Sequence, residues 1–348
     1  MLCALIMAGG RGTRFWPAST DEKPKQFINL IGNKTMIQMT VDRLLPLIPM
    51  DRIFVCTGER YKDLVKEQLP SMPESNIIIE PTGRNTAPCI LLSSLYINQK
   101  FDDAEVIVLP SDHVINDEKE FLSIIDTAHS YVLDNNKAIV TIGISPDRPE
   151  TGYGYIKQEH KVANVNGHDI LKVERFVEKP NLETAKEYLA DGNYLWNAGM
   201  FAFKANSMIN EFITHKKNIY DVLVQLPSID DVNYMSALTE LYVQCESISI
   251  DYAIIEKSSD IYVVPGDFGW DDVGAWKALE RYLDIDANNN ITKGTVLADN
   301  SKDSIIYSGD KKVILHNVDN LCVIQAGDYI IVTKKDDLAH VHEFRGKL

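Results

Sequence analysis

The sequence predicts an α/β protein: a Rossmann-like, mostly parallel mixed sheet flanked by helices, followed by a small β-rich C-terminal module. Three observations carry this expectation. Through the first half, short β-branched runs alternate with segments whose apolar residues recur at helical spacing, the pattern of a parallel sheet covered by helices. The first of those runs ends in a glycine-rich loop that carries fixed cations. After the polar break Asp286-Ala287-Asn288-Asn289-Asn290 the helical periods stop, and short strands follow one another between Gly, Asn and Asp residues.

The first strand is expected over 2–7, and the loop after it reads Ala8-Gly9-Gly10-Arg11-Gly12-Thr13-Arg14. Glycines lack a Cβ, so their N–H groups can approach phosphate oxygens closely. Arg14 adds a planar fork of donors and Lys25, in Pro24-Lys25-Gln26-Phe27, a compact charge on a flexible stem. A strand that ends in such a loop is built to hold a nucleoside triphosphate. The loop lacks the third glycine of the dinucleotide fingerprint and the Gly-Lys-Ser/Thr ending of a P-loop, which disfavours an ordinary dehydrogenase.

Further strands are expected over 52–56, 76–79, 105–109 and 138–142, with helices over 36–45, 61–69, 86–97 and 118–133. Ligands of such a sheet sit beyond the C-terminal ends of its strands. The glycine loop, Glu80-Pro81 and Pro110-Ser111-Asp112 all occupy such ends. From about 151 to 281 the pattern is mixed, with strands near 173–178, 199–203 and 261–264 and a helix over 182–189. Short strands near 295–297, 304–307, 313–316, 321–324 and 329–333 then suggest a β-solenoid or a small sandwich.

At this point the chain resembles the sugar-1-phosphate nucleotidyltransferases, whose signature is Gly-Gly-x-Gly-Thr-Arg followed by Pro-Lys. Phe15-Trp16-Pro17 and Pro24-Lys25-Gln26-Phe27 look like the mannose-1-phosphate guanylyltransferase branch. Further matching blocks are Gly83-Arg84-Asn85-Thr86-Ala87-Pro88, Leu109-Pro110-Ser111-Asp112-His113, Thr151-Gly152-Tyr153-Gly154-Tyr155-Ile156, Phe176-Val177-Glu178-Lys179-Pro180, Trp196-Asn197-Ala198-Gly199 and Gly269-Trp270-Asp271-Asp272-Val273-Gly274. They recur in one order along nearly the whole chain. The resemblance implies a nucleotidyltransferase domain over 1–285, with a nucleotide half over about 1–150 and a sugar half over about 151–285. It also favours a left-handed β-helix-like domain over 291–348, with no isomerase domain fused to it.

The implied activity is transfer of GMP from GTP to α-D-mannose 1-phosphate, giving GDP-mannose and pyrophosphate, with Mg²⁺ as cofactor. A sugar 1-phosphate is already an anionic nucleophile, which fits the lack of a visible acid/base pair. What the transfer needs is alignment and cations that meet developing charge. Arg14 and Lys25 are the catalytic candidates, and Ala8, Gly9, Gly10, Gly12 and Thr13 contribute loop amides around the nucleotide. Two separated aspartates, Asp112 and Asp272, suit a magnesium ion that also binds substrate phosphates. The resemblance assigns ligation to both, and to Asp272 rather than Asp271; an Asx-turn or helix cap is the alternative for each. His113 is expected to pack or hydrogen-bond away from the site, because neighbours on an extended segment point in opposite directions.

Guanine offers N1–H and N2–H₂, two donors that one carboxylate can accept, so Glu80 favours guanine over uracil or thymine. A solvated strand-end Glu is the alternative. Asn85 could also reach the base edge, Thr86 reads equally as a helix N-cap, and Arg84 as a phosphate or structural contact. By resemblance, Gly154, Glu178, Lys179 and Asn197 bind the sugar phosphate; a charged turn ahead of a helix is the alternative for Glu178-Lys179-Pro180. Trp196 and Trp270 are expected in the core.

At 348 residues and 45% hydrophobic, the chain can bury a large core. Its formal net charge of -15 opposes nonspecific binding to nucleic acid or anionic membrane. With no apolar span and no basic leader, a cytoplasmic location is expected, and a homodimer is compatible with a β-rich C-terminal module. The five scattered cysteines read as reduced packing residues. Two other readings stay open: a guanylyltransferase for another manno-configured sugar 1-phosphate such as a heptose, and a non-catalytic subunit that senses GDP-mannose.

Overall fold

A computed structural model describes residues 1–10, 12–345 and 347. The chain divides into two compact units. The first comprises Met1–Gly9, Val41–Ser111 and Ile115–Trp270, and the second Gly10–Thr40, Asp112–Val114 and Asp271–Leu348.

The first unit is built on a nine-stranded mixed sheet. β1 (Leu2–Met7), β2 (Ile53–Gly58), β3 (Ile77–Glu80) and β4 (Glu105–Pro110) form its parallel part in the order β3-β2-β1-β4. Their sequences are apolar runs, buried almost residue by residue, as strands covered on both faces must be. Parallel alignment puts Ala8, Glu80 and Ser111 at one edge of the sheet, beyond or at the strand C-termini. The helices between these strands are α1 (Met36–Leu44), α2 (Lys62–Gln68), α3 (Thr86–Lys100) and α4 (Glu118–Asp134). Asp117 caps α4 by accepting from the Lys119 and Glu120 amides, which satisfies two of the orphan donors of its first turn.

The rest of this sheet comes from β5 (Ile139–Ile144), β6 (Tyr155–Val165), β7 (His168–Val177), β8 (Tyr194–Lys204) and β9 (Ile261–Gly266). β8 lies antiparallel between β4 and β5, and β9 runs parallel to β5. The hairpin β6–β7 extends well beyond the strand expected at 173–178. Its turn, Asn166-Gly167, has φ of 51° and 89°, the double left-handed conformation of the favoured two-residue hairpin loop. Between strands come α5 (Leu182–Asp191), α6 (Ala205–His215), α7 (Lys217–Leu223) and α8 (Tyr234–Tyr242). Phe212, Ile219, Leu238 and Tyr242 from the last three join Cys89 and Leu92 of α3 in one buried cluster.

In the second unit, β10 (Ile291–Lys293), β12 (Ile305–Ser308) and β14 (Leu321–Ala326) stack in parallel, as do β11 (Val296–Asp299) and β13 (Val313–His316). Cys322 sits beside Ile305, and Val313 beside Val296, each seventeen residues on, the separation that also links Asn300 to Asn317. Two parallel stacks, each with a seventeen-residue step, which in the first follows a shorter one from β10 to β12, make a β-solenoid, not a sandwich. β15 (Tyr329–Lys334) closes the coil antiparallel to β14. Asn300, Asp303, Asn317 and Asn320 turn its corners at positive φ, which Asn and Asp tolerate because their short polar side chains bond locally.

The core of this unit explains Phe15 and Trp16. Trp276 lies edge-on to Phe15 (5.2 Å) and Tyr307 (5.0 Å) and donates its indole N–H to the Trp16 carbonyl at 3.1 Å. All five cysteines of the chain are buried and free. No helix among the described residues is long and apolar enough to cross a membrane. Trp276→Ala should remove about 3–5 kcal/mol of stability, read as a fall in the urea midpoint; an unchanged midpoint would show that this aromatic cluster does not hold the solenoid unit.

Candidate active site

Within the second unit, three stretches far apart in sequence close on one buried lysine. Pro24 leads into the 3-10 turn Lys25–Phe27, and Gly12 adopts φ +50° directly over it. A Cβ at Gly12 would lie 2.6 Å from the Lys25 amide nitrogen, so glycine is needed here for both reasons. Lys25 is only 5% exposed. Its ammonium donates to the carbonyls of Asp112 (2.8 Å) and Asp272 (2.5 Å) and pairs with the Asp112 carboxylate at 2.9 Å. Three acceptors match the three donors of the group, which is how a charge tolerates burial.

Around it lies a cavity of about 300 Å³ lined by Gly12, Thr13, Arg14, Lys25, Asp112, His113, Asp272, Val273 and Gly274. Burial pushes the Asp112 carboxyl upward, but the Lys25 ammonium, helped by His113 and Arg14, outweighs it and holds the group below the usual carboxylate range. Asp272 sits in a strained turn. Val273 has φ 44°, an outlier for a β-branched residue, and the Asp271 carboxylate holds it by accepting its amide at 2.8 Å. A side chain at Gly274 would crowd Asp272 Oδ2 at 3.0 Å and Arg14 Nη1 at 3.4 Å.

The two adjacent aspartates therefore differ in task. Asp271 is buried and also accepts from Arg281 Nε (2.7 Å) and the Tyr282 hydroxyl (2.8 Å), whereas Asp272 lines the cavity. Asp112 and Asp272 supply hard oxygen donors to one polar cavity, a donor set that fits a divalent cation of the magnesium or calcium type. His113 also lines the cavity, contrary to the expectation that it would face away. β4 has ended at Pro110, and strand alternation does not extend past it. Gly10 accepts from Gln26 Nε2 at 2.9 Å through its carbonyl, which leaves Thr13 and Arg14 at the cavity wall.

In the first unit the strand-end Glu80 is buried (5% exposed), not solvated. Its Oε1 accepts from the Tyr242 hydroxyl at 2.5 Å, and its Oε2 lies under the loop, where a Cβ at Gly9 would come within 2.6 Å. Burial pushes its carboxyl up to about 7 against the opposing hydrogen bond from Tyr242. Ala8 ties this loop to β2, donating to Cys56 and accepting from Thr57 Oγ1. Asn85 takes the N-cap of α3, accepting from the Thr86 amide at 2.8 Å with φ 66°. Thr86 is therefore not the cap; its hydroxyl accepts the Ile250 amide at 2.8 Å. Arg84 donates to the Val243 carbonyl, a structural contact.

The candidate sugar residues also gather in the first unit. A Cβ on Gly154 would strike Glu178 Oε2 at 2.5 Å and approach Asn197 Cβ at 3.4 Å. The Asn197 amide donates to the Gly154 carbonyl, and its side chain accepts from Thr141 Oγ1 and Gly199 N and donates to Asp251. Lys179, at φ 48°, pairs with Glu178 and keeps most of its surface exposed. Trp196 is buried, whereas Trp270 is only half-buried; both meet Tyr153 edge-on. Tyr242 and Asp251 are not legible in the sequence as site residues, since one is the end of an apolar helix and the other a single acid after Ser-Ile.

The chain belongs to the nucleotidyl transferase family, whose sequence pattern matches residues 3–293. It is 38% identical to the mannose-1-phosphate guanylyltransferase of Salmonella montevideo over 100% of its own length and 74% of that protein. It is also 38% identical to an Escherichia coli mannose-1-phosphate guanylyltransferase, over 97% of this chain and 71% of the relative. A crystal structure from Thermus thermophilus, described as a mannose-1-phosphate geranyltransferase, superposes with a TM-score of 0.87 at 32% identity, covering 99% of this chain and 98% of the other. Proteins of this family generally use a divalent metal ion.

Glu80 carries a testable cost. Its folded value of about 7 lies above the ordinary 4.5, so the penalty is absent below pH 4.5, grows as pH rises to 7 and stays constant above. Glu80→Gln should therefore raise unfolding free energy by about 3 kcal/mol at pH 8 and by almost nothing near pH 4.5, measured by urea unfolding at both values.

Proposed function

We propose that the protein transfers GMP from GTP to α-D-mannose 1-phosphate, releasing pyrophosphate and forming GDP-mannose. A phosphate oxygen of the sugar attacks the α-phosphorus, the bond from that phosphorus to the bridging oxygen of the β-phosphate breaks, and pyrophosphate leaves with the electron pair. The observation that carries the reading is the cavity in which Arg14, Lys25, Asp112 and Asp272 meet, on a chain akin over its full length to mannose-1-phosphate guanylyltransferases.

Each residue has a physical reason for its task. Arg14, exposed at the cavity wall, can grip the β- and γ-phosphates, together with the loop amides of Gly12 and Thr13. Lys25 keeps Asp112 and Asp272 in place and supplies positive charge beside the transferring phosphoryl oxygens. Asp112 and Asp272 would hold Mg²⁺, which when bound neutralises phosphate charge. Glu80 accepts the guanine N1–H and N2–H₂, and Asn85 lies at the start of α3 near that strand end. Gly154 allows the sugar close to the backbone, Glu178 and Asn197 bond its hydroxyls, and Lys179 meets its phosphate. The prior ion pair between Lys179 and Glu178 keeps both charges compensated until substrate arrives.

Lys25→Ala should lower kcat by about 10²–10³-fold while the GTP KM changes less than about threefold, as expected for a group aimed at developing charge. A loss confined to KM would remove Lys25 from the chemistry. For the reaction itself, pyrophosphate release is to be compared among mannose, heptose, glucose and fucose 1-phosphates, each with GTP and UTP. The pair of mannose 1-phosphate and GTP should turn over fastest, only after Mg²⁺ is restored to EDTA-treated protein. A preference for the heptose, or no turnover with any pair, would overturn the assignment.

A further inference from the structure

The end of α8 is fastened to the loop that follows β3. Tyr242, the last residue of that helix and 0% exposed, gives its hydroxyl to Glu80 Oε1 at 2.5 Å. The next residue, Val243, gives its carbonyl to Arg84. Farther on, the amides of Ile250 and Ala87 cross in opposite directions, to Thr86 Oγ1 and to the Ile248 carbonyl. Residues 80–87 and 242–250 are thus joined at four points, and Glu80 is the first of them.

This arrangement divides the labour of one carboxylate. Oε1 is taken by Tyr242, while Oε2 lies against Gly9, where any side chain would come within 2.6 Å. A buried carboxylate can rotate about its last torsion, and a single donor of fixed position is enough to choose one orientation. Among the described residues, the titratable groups facing Glu80 are Tyr242 of α8, Cys56 of β2 and Cys89 of α3. At Cys56 the hydrogen bond with Cys89 pulls the thiol down but burial and the nearby Glu80 outweigh it, and at Cys89 the bond with Cys56 and burial both push it up. Both thiols therefore stay neutral, and the phenol is the group that favours the ionised acid.

We propose that Tyr242 is a positioning residue for nucleotide choice: by holding Glu80 through Oε1 it sets the carboxylate that accepts the two N–H donors of guanine. The inference rests on the reading of Glu80 as the base acceptor. A phenol aimed at a carboxylate favours its ionised form. Wild-type kcat/KM for GTP should therefore rise through about pH 7, where Glu80 ionises, and loss of the phenol should move that limb to higher pH.

The test measures kcat and KM for GTP and UTP from pH 5.5 to 9 in Tyr242→Phe and Glu80→Gln, at saturating mannose 1-phosphate and Mg²⁺. Tyr242→Phe should raise the GTP KM about tenfold with kcat changed less than about twofold, and cut the GTP/UTP preference by a similar factor. Its acid limb should move upward. Replacement of Tyr242 by 3-fluorotyrosine, which keeps the packing and sharpens the donor, should move the limb downward, and it keeps the test decisive if the Phe variant folds poorly. If Glu80→Gln destroys the preference while both Tyr242 replacements leave KM, preference and limb unmoved, the positioning role falls alone. If Glu80→Gln itself spares the preference, the base reading falls and this inference with it.

Discussion

The second unit depends on one buried cation. Lys25 has exchanged water for three protein oxygens, two of them backbone carbonyls and one the Asp112 carboxylate. Removing a charge from water costs several kcal/mol unless its donors are satisfied, so the three acceptors are as necessary as the lysine. Because they come from positions 112 and 272, the ammonium ties together stretches that the chain separates by 87 and 247 residues. Two potential metal-binding aspartates are thereby set by a neighbour of opposite charge. That neighbour also accounts for the low affinity of Asp112 for a proton, which keeps its oxygens ready as ligands.

The surrounding turns store strain where the cavity requires it. Val273 occupies the left-handed region against its preference, held by the Asp271 carboxylate, and Gly12 and Gly274 leave room that a methyl group would fill. Asp271 spends its oxygens on Arg281, Tyr282 and the Val273 amide, and the turn it stabilises presents Asp272 instead. In the first unit the same division of tasks takes a different form. Glu80 sits buried, and among the described residues its recorded partner is a phenol, so its charge state changes near pH 7 and is sensitive to what approaches it.

Much of the architecture is legible in the sequence because local chemistry and tertiary need agree. The runs that form β1 to β5 are apolar on both faces, α1 and α4 carry an apolar stripe, and α3 is buried along residues 87–94. The β6–β7 hairpin lies largely outside the expected strands although Asn166-Gly167 marks it. Much of its length is solvent-exposed, so alternation is weak and only the turn carries a signal. Likewise Thr86 and Asn85 are both plausible caps in sequence; which one caps depends on Thr86 being claimed by Ile250, 164 positions away.

The order of the glycine loop, the cations and the two aspartates was determined by sequence alone, since glycine, lysine, arginine and carboxylate each have few chemical uses in such surroundings. Tertiary structure decided their states: that Lys25 is buried, that His113 faces the cavity, that Arg84 serves a backbone carbonyl, and that Tyr242 meets Glu80. These facts follow from desolvation and from contacts between distant residues. Both depend on what surrounds a group in space, which neighbours along the chain do not specify.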